Sequence, residues 1–132
     1  MSLATYSEIP VRPDLAPHVQ LIWTLDVDDA ASFGRAERIL PDGIVEAVFH
    51  YRVPFAMRYR GADFDCQPAS LVVSQTHRFI EIEPAGPGGF LSVRFFPWGA
   101  CHFFGVPVSV FADRMVTAAH LGDARSTLFR SG

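Results

Sequence analysis

Apolar and polar residues alternate with a period of two along several short segments of this chain. In His18 to Val27 the apolar side chains Leu21, Trp23 and Leu25 fall on one face, and Arg78 to Glu83 and Phe90 to Phe96 show the same period. This period is typical of a β-strand with one buried face. Prolines and glycines stand between these segments, where they favour turns. The pattern therefore predicts a series of short strands.

Four other segments are predicted to be strands: the first leads into the turn at Pro41, and the other three are rich in β-branched and aromatic residues. They are Arg35 to Leu40, Ile44 to Arg52, Phe55 to Tyr59 and Ser70 to Thr76. Together with the alternating segments they give about seven or eight strands. An all-β core of this kind is expected to be a barrel or a sandwich.

The pattern changes after residue 99, where helices are predicted. Ala100 to Val106 is expected to form a short helix that ends at Gly105. Asp113 to Leu121 and Asp123 to Arg130 have helical composition, and the Asp at the start of each can cap a helix. The predicted fold class is therefore mainly β with C-terminal helices.

A tight turn at Pro41-Asp42-Gly43 leads into the apolar segment that carries Glu46 and His50. Proline presets one φ angle, Asp can bond back to the backbone, and Gly permits positive φ. Glu46 and His50 are four residues apart, so a strand places both side chains on the same face. We expect this strand to be a wall that presents two polar groups to a pocket.

Composition and charge narrow the functional class. The chain has 132 residues, 49% of them hydrophobic and 19% charged, and its formal net charge is −3. It is long enough for one domain with a hydrophobic core, and the acidic balance argues against a nucleic-acid surface on this domain. The N-terminus lacks the pattern of a secretory signal, and the apolar runs are too short to span a membrane. A cytoplasmic protein that does not contact the membrane is expected.

Three segments in order resemble the N-terminal domain of AraC-type bacterial transcription regulators. They are Ile39 to Tyr51 with its ILPDG turn, Ser74 to Phe79 (SQTHRF), and Val93 to Pro107 (VRFFPWGACHFFGVP). Pro13 to Trp23 fits the same pattern, and Val108 to Val116 looks like the entry to that family's helical tail. The resemblance covers nearly the whole chain.

The resemblance implies a cupin-like β-barrel, of the double-stranded β-helix type, over residues 1–107. It implies a helical tail over residues 108–132 that serves dimerisation or linkage. Such a domain senses a small-molecule effector, forms a homodimer, or both. It controls a C-terminal helix-turn-helix domain, absent from this chain, through which alone DNA would be bound. The implied mechanism is a ligand-induced shift between two arrangements of the tail.

Five side chains are the predicted ligand-binding residues of such a barrel: Trp23, Glu46, His50, His77 and Arg94. An arginine inside a barrel needs an anionic partner, which a ligand, Glu46 or Glu81 could provide. A structural ion pair therefore stays open for Arg94, simple core packing for Trp23, and an exterior position for Glu46 and His50.

A metal-dependent cupin is the alternative. It would need about three histidines and a carboxylate around one ion. The one plausible cluster is His77 with Glu81 and Glu83, joined by His50 and Glu46 from another strand, but a polar lining or a solvent face explains these residues better. Neither a metal nor another cofactor is therefore expected.

Catalysis is not expected from the sequence either. Ser74 and Ser92 lie in predicted strands without a nucleophile elbow, and Cys101 beside His102 would point away from it on a helix. The chain is therefore predicted to have no catalytic residue and not to be an enzyme. A stand-alone cupin-like metal-binding protein or enzyme is kept as the alternative function.

The predicted helix from Asp113 to Leu121 carries an apolar stripe with mixed three- and four-residue spacing. The stripe packs either onto the barrel or, as the resemblance implies, against its copy across a dimer axis. The predicted dimerisation residues are Met115, Ala118, Ala119 and Leu121.

Overall fold

The computed structural model describes most of the chain from residue 4 to residue 117. The described residues are 4–28, 37–39, 44–59, 61–74, 79–105 and 114–117.

The described residues form strands and one short helix. The strands are β1 (Ala4–Ile9), β2 (Val19–Val27), β3 (Glu37–Ile39), β4 (Val45–His50), β5 (Ala56–Tyr59), β6 (Asp65–Cys66), β7 (Ser70–Ser74), β8 (Ile80–Glu83), β9 (Gly88–Phe95) and β10 (Arg114–Thr117). The helix is α1 (Pro97–Phe104), between β9 and β10.

Two antiparallel sheets face each other. The larger has six strands in the order β1-β2-β9-β4-β7-β10, and the smaller has four in the order β3-β8-β5-β6. Within the described part of the chain, backbone pairing does not join the two sheets. The expectation of a closed barrel is therefore met only in part, as a mainly β structure with two opposed sheets.

Strand β9 is the central element, because it pairs with both β2 and β4. Phe90 faces the smaller sheet and packs with Val27 and Phe55. Phe95, on the opposite face, packs with Val45 and other residues of the larger sheet's second core. Both faces of β9 are thus covered, as expected for a central strand with apolar residues at odd and even positions.

Helix α1 covers the second face of the larger sheet. Ala100 is fully buried against this sheet, and Phe103 and Phe104 pack beside it. Pro97 occupies the first turn, where its missing N–H has no helical partner to lose. Gly105 ends the helix with φ of 68° and donates its N–H to the Cys101 carbonyl. The predicted end at Gly105 is confirmed, and the helix begins three residues earlier than predicted.

The sequence pattern located most of the strands correctly. All seven predicted strands contain or overlap an observed one, from β2 to β9. Strand β1 was not predicted, because its residues Ala4–Ile9 are mostly exposed and lack a regular apolar face. It is an edge strand that pairs with β2 along its whole length, so pairing rather than burial defines it.

The predicted helix from Asp113 to Leu121 is wrong where the structure describes it. Arg114–Thr117 forms β10 and pairs antiparallel with β7, with Met115 opposite Val73. Tertiary pairing overrides helical composition here, because the exposed edge of β7 offers a complete ladder of hydrogen bonds. The second predicted helix, residues 123–130, lies outside the described residues. The division of the chain at residue 107 stays a prediction.

The described residues contain no helix with the length and apolar character of a membrane span.

We expect Gly99→Ala to destabilise the protein, although alanine normally favours a helix over glycine by about 1 kcal/mol. An added Cβ would overlap the backbone carbonyl oxygen of His18, which cannot rotate away. We expect a loss of about 1–3 kcal/mol in the free energy of unfolding, as for other overpacked sites. Urea denaturation followed by circular dichroism would measure it.

Gly86→Ala is the matched control, because its added Cβ would meet only the Val53 side chain at 3.5 Å or more. We expect little change for this variant. Equal stability of Gly99→Ala and the wild type would contradict the close packing of α1 on residue 18.

Candidate functional site

The space between the two sheets contains a cavity of about 170 Å³. The larger sheet contributes polar and aromatic side chains, among them Trp23, Glu46 and His50. The smaller sheet contributes mainly apolar ones, Ile80 and Ile82 from β8. The cavity is thus an apolar space with polar groups on one wall.

Three residues on this wall form a connected set, which we call the polar wall: Glu46, Ser92 and Arg94. Arg94 donates to Glu46 Oε1 from Nη2 at 3.0 Å and from Nε at 3.3 Å. Ser92 donates from Oγ to Glu46 Oε2 at 2.6 Å. The Arg94 and Glu46 side chains are 29% and 19% exposed, so solvent screens this ion pair only partly.

Strand register explains how the polar wall forms. Glu46 on β4 lies directly opposite Arg94 on β9. Ser92 is two residues before Arg94 and therefore points to the same face, within reach of the second carboxylate oxygen. The ion pair left open by the sequence exists, and Glu46 rather than Glu81 is the partner of Arg94.

His50 lies at the other end of β4, beside Gln67. Its Nε2 is 2.8 Å from Gln67 Oε1, and its Nδ1 is buried without a hydrogen-bond partner. Burial lowers the pKa of His50 below its ordinary value of 6.5, and the hydrogen bond to Gln67 opposes this only in part. The ring is therefore neutral at pH 7, with one nitrogen protonated.

Aromatic rings close the cavity around His50. Phe55 and Phe90 are 0% and 4% exposed, and their rings meet edge to face with centroids 5.2 Å apart. Trp23 contacts the other side of Phe90 at 5.2 Å. Gly88 permits this closure, because an added Cβ would lie 2.6 Å from the Phe55 ring. The aromatic end is thus sealed from solvent, while the polar wall is partly open.

The carboxylates of β8 lie on the opposite face of their sheet from the cavity. Ile80 and Ile82 line the cavity, so the alternating positions Glu81 and Glu83 point the other way. Glu81 instead pairs with Arg58 at 3.2 Å on the far face. The possible cluster of Glu81 and Glu83 with Glu46 and His50 is therefore wrong, because β8 presents its apolar face to the cavity.

The described side chains do not fit a bound metal ion. They include no group of three His, Cys, Asp or Glu residues that could hold one. Glu46 and His50 are four strand positions apart, about 13 Å between Cα atoms. The Glu46 carboxylate already accepts bonds from Ser92 and Arg94, and His50 Nε2 is bonded to Gln67. No metal-dependent step follows from this arrangement.

Four of the five predicted ligand-binding residues line the cavity: Trp23, Glu46, His50 and Arg94. His77 lies outside the described residues. Their role in binding stays a prediction, although the structure brings them to one space. Two further lining residues were not predicted. Ser92 could have been predicted, because it is two residues from Arg94 and therefore lies on the same face of the strand. Gln67 could not, because it follows the very short β6 and no sequence pattern marks its position.

The predicted dimerisation residues are only partly described. Met115 is on β10, whose backbone pairs with β7, and Ala118, Ala119 and Leu121 lie outside the described residues. The helix pair on which the predicted interface was based cannot include Met115, since this residue is in a strand. Dimerisation itself stays a prediction.

Two solved structures show which class of fold this is. A predicted oxalate decarboxylase from Thermotoga maritima superposes with a TM-score of 0.52 and 10% identity, over 70% of this chain and 80% of that one. The cobalt(II) form of HppE in complex with Tris buffer superposes with a TM-score of 0.50 and 20% identity, over 72% of this chain and 55% of that one. Both have a cupin-like fold, so the expectation of cupin-like architecture is confirmed at the level of the fold.

The chain belongs to the family described as domain of unknown function DUF6597, whose model matches residues 7–117. No curated protein matches the chain in sequence. Neither the family nor the two similar structures is specific to AraC-type regulators, so the regulator assignment stays a prediction.

The expectation that the chain is not an enzyme is wrong, because the structural comparison contradicts it. A structure that shares its fold is described as a predicted oxalate decarboxylase. The sequence argument failed because it rested on the absence of nucleophile and metal-ligand motifs, and such motifs do not report the fold that this chain shares with that protein.

We expect Glu46→Gln to lower the free energy of unfolding by about 1–3 kcal/mol, because it leaves Arg94 without its charged partner in a partly buried position. Glu81→Gln is the matched control, since its pair with Arg58 lies on the outer face and is expected to contribute less than about 1 kcal/mol. Urea denaturation at pH 7 would measure both. Equal losses in the free energy of unfolding for the two variants would contradict the expectation that the pair of Glu46 with Arg94 contributes more than the pair of Glu81 with Arg58.

We also expect His50 to make stability depend on pH. Its pKa is lower in the folded state than in the unfolded chain, so the unfolded state binds more protons as the pH falls below 6.5. The contribution of His50 is therefore complete above pH 6.5 and declines on acidification toward its folded pKa. Denaturation between pH 7.5 and 5.5 should give a steeper loss for the wild type than for His50→Gln. Parallel curves would show that His50 is not the titrating group.

Proposed function

We propose that this domain binds a small organic molecule, about the size of one substituted aromatic ring, in the cavity between its two sheets. The observation that carries the proposal is the combination of a partly open apolar cavity with an ordered polar wall. Binding sites for small molecules typically have this composition, with mostly apolar lining and a few fixed polar groups.

The cavity volume limits the ligand. The space is about 170 Å³, and a dry apolar cavity of about 150 Å³ is known to accept benzene. A ring with one or two small substituents fits this space, whereas a nucleotide or an oligosaccharide does not. The sealed aromatic end would receive the ring, and the partly open polar wall would lie near the entrance.

The polar wall supports binding more than simple core packing does. A core without a ligand gains nothing from a charged pair, because desolvating both ions costs about as much as their attraction returns. Glu46 and Arg94 hold each other in fixed positions, so a ligand would meet an ordered charged surface. Fixed polar groups of this kind give orientation and specificity.

Two uses of such a site are compatible with the proposal. The resemblance to AraC-type regulators favours effector sensing, in which the bound molecule is released unchanged. The similarity in fold to a predicted decarboxylase favours catalysis, and a neutral, half-buried His50 has the protonation state that a general base needs. Nuclear magnetic resonance spectra of the recovered compound would separate the two uses, because only catalysis alters it.

We expect Val48→Phe to abolish ligand stabilisation. Val48 lines the cavity, and the larger ring would occupy the space proposed for the ligand. A panel of substituted benzenes, tested by thermal unfolding, should include compounds that raise the Tm of the wild type but not that of Val48→Phe.

Val53→Phe is the matched control, because the same substitution is made at a residue that is 40% exposed and outside the cavity. This variant should respond to the compounds as the wild type does. An unchanged response of Val48→Phe, or the absence of any response in the wild type, would contradict binding in this cavity.

A further inference from the structure

The Nδ1 atom of His50 is an unsatisfied polar atom in a site that is otherwise well ordered. It has no hydrogen-bond partner and almost no contact with solvent. A buried polar atom without a partner costs about 1–3 kcal/mol, so such atoms are rare in folded proteins. One explanation is that its partner is a ligand.

The hydrogen bond to Gln67 determines what Nδ1 can do. The Gln67 atom nearest to His50 Nε2 is the carbonyl oxygen Oε1, which can only accept. Nε2 must therefore carry the proton. Because a neutral imidazole has one donor and one acceptor nitrogen, Nδ1 presents a lone pair and needs a donor.

The side chains around His50 cannot provide this donor. Phe55 stacks on the imidazole ring at 5.9 Å, and Phe90 meets it edge to face at 5.5 Å. Gln67, the one polar neighbour with a defined contact, is already bonded to Nε2. A ligand that provides this donor would approach from the cavity that His50 lines.

The polar wall shows the same preference for donors. The Glu46 carboxylate can only accept, and its Oε2 atom holds a single bond, from Ser92. A carboxylate oxygen has two lone-pair positions, so Oε2 can accept a second hydrogen bond. Both ends of the cavity thus present an acceptor.

We infer that the ligand is a ring-sized molecule with a hydroxyl or amino group, which donates a hydrogen bond to His50 Nδ1. This inference rests on the proposed function, since it names the chemical class of the molecule bound in the same cavity. A second donor on the ligand would meet Glu46. Molecules whose polar groups only accept, such as aldehydes and ethers, are disfavoured because they would leave Nδ1 unsatisfied.

Three probes of similar size test the inference: phenol, which has a donor, benzaldehyde, whose oxygen only accepts, and toluene, which has neither. Their dissociation constants would be measured on the full chain by ligand-observed nuclear magnetic resonance. We expect phenol to bind about tenfold more tightly than benzaldehyde, as expected for one hydrogen bond gained. In His50→Leu this ratio should fall to about one, while toluene still binds.

A second measurement needs no variant. In protein labelled with ¹⁵N at histidine, the His50 Nδ1 resonance at pH 7 should be that of an unprotonated nitrogen. Phenol should move it upfield as the nitrogen accepts a hydrogen bond, and benzaldehyde should not. This result would test the inference even if His50→Leu did not fold.

The outcomes separate the inference from the proposed function. Binding of benzaldehyde as tight as that of phenol, or a protonated Nδ1 in the free protein, would overturn the donor requirement while the cavity still bound a ring. If none of the three probes bound, the proposed function would fall, and the inference with it.

Discussion

The structure depends on the requirement that central strand β9 bury both of its faces. Phe90, Ser92 and Arg94 face the cavity, and Phe95 faces the core beneath α1. A shift of one residue in the pairing of β9 would exchange the two faces. It would turn Arg94 away from Glu46 into the helix-side core and turn Phe95 toward the cavity. The register of β9 against β2 and β4 therefore fixes the core, the helix packing and the polar wall together.

The same requirement explains why the polar wall can exist inside a small domain. Glu46 and Arg94 lie on neighbouring strands at paired positions, so their ion pair forms without distortion of the backbone. Ser92 bonds to the second carboxylate oxygen. Each charge is thus compensated within hydrogen-bonding distance, which limits the penalty for partial burial. The remaining unsatisfied atom on this face, His50 Nδ1, is an exception to this pattern.

The similarity to cupin-like structures establishes the fold but not the chemistry. One of the similar structures contains cobalt(II) by its description. In the described part of this chain, potential metal ligands are dispersed: Glu46 is engaged with Arg94, and Glu81 is on the outer face with Arg58. Among the described residues, the cavity has an aromatic end and a hydrogen-bond acceptor at each end, and no cluster of metal ligands.

The local sequence pattern was sufficient to determine most of the secondary structure. It also determined which side chains lie on the same face of a strand. Alternation located β2, β8 and β9, and parity placed Glu46 with His50 on one face, because a strand turns successive side chains to opposite sides whatever its surroundings. Gly105 marked the end of α1 for an equally local reason, its freedom to adopt positive φ.

Tertiary structure alone decided which face was inside and which residues met there. The pairing of Arg94 with Glu46 rather than Glu81, the position of Gln67 beside His50, and the strand β10 in place of a helix all depend on contacts between segments distant in sequence. Local propensity contains no information about such contacts, because their energies arise only when segments distant in sequence come together. The sequence thus supplied the candidate residues, and the pairing of β2, β9 and β4 in the larger sheet turned four of them into one cavity wall.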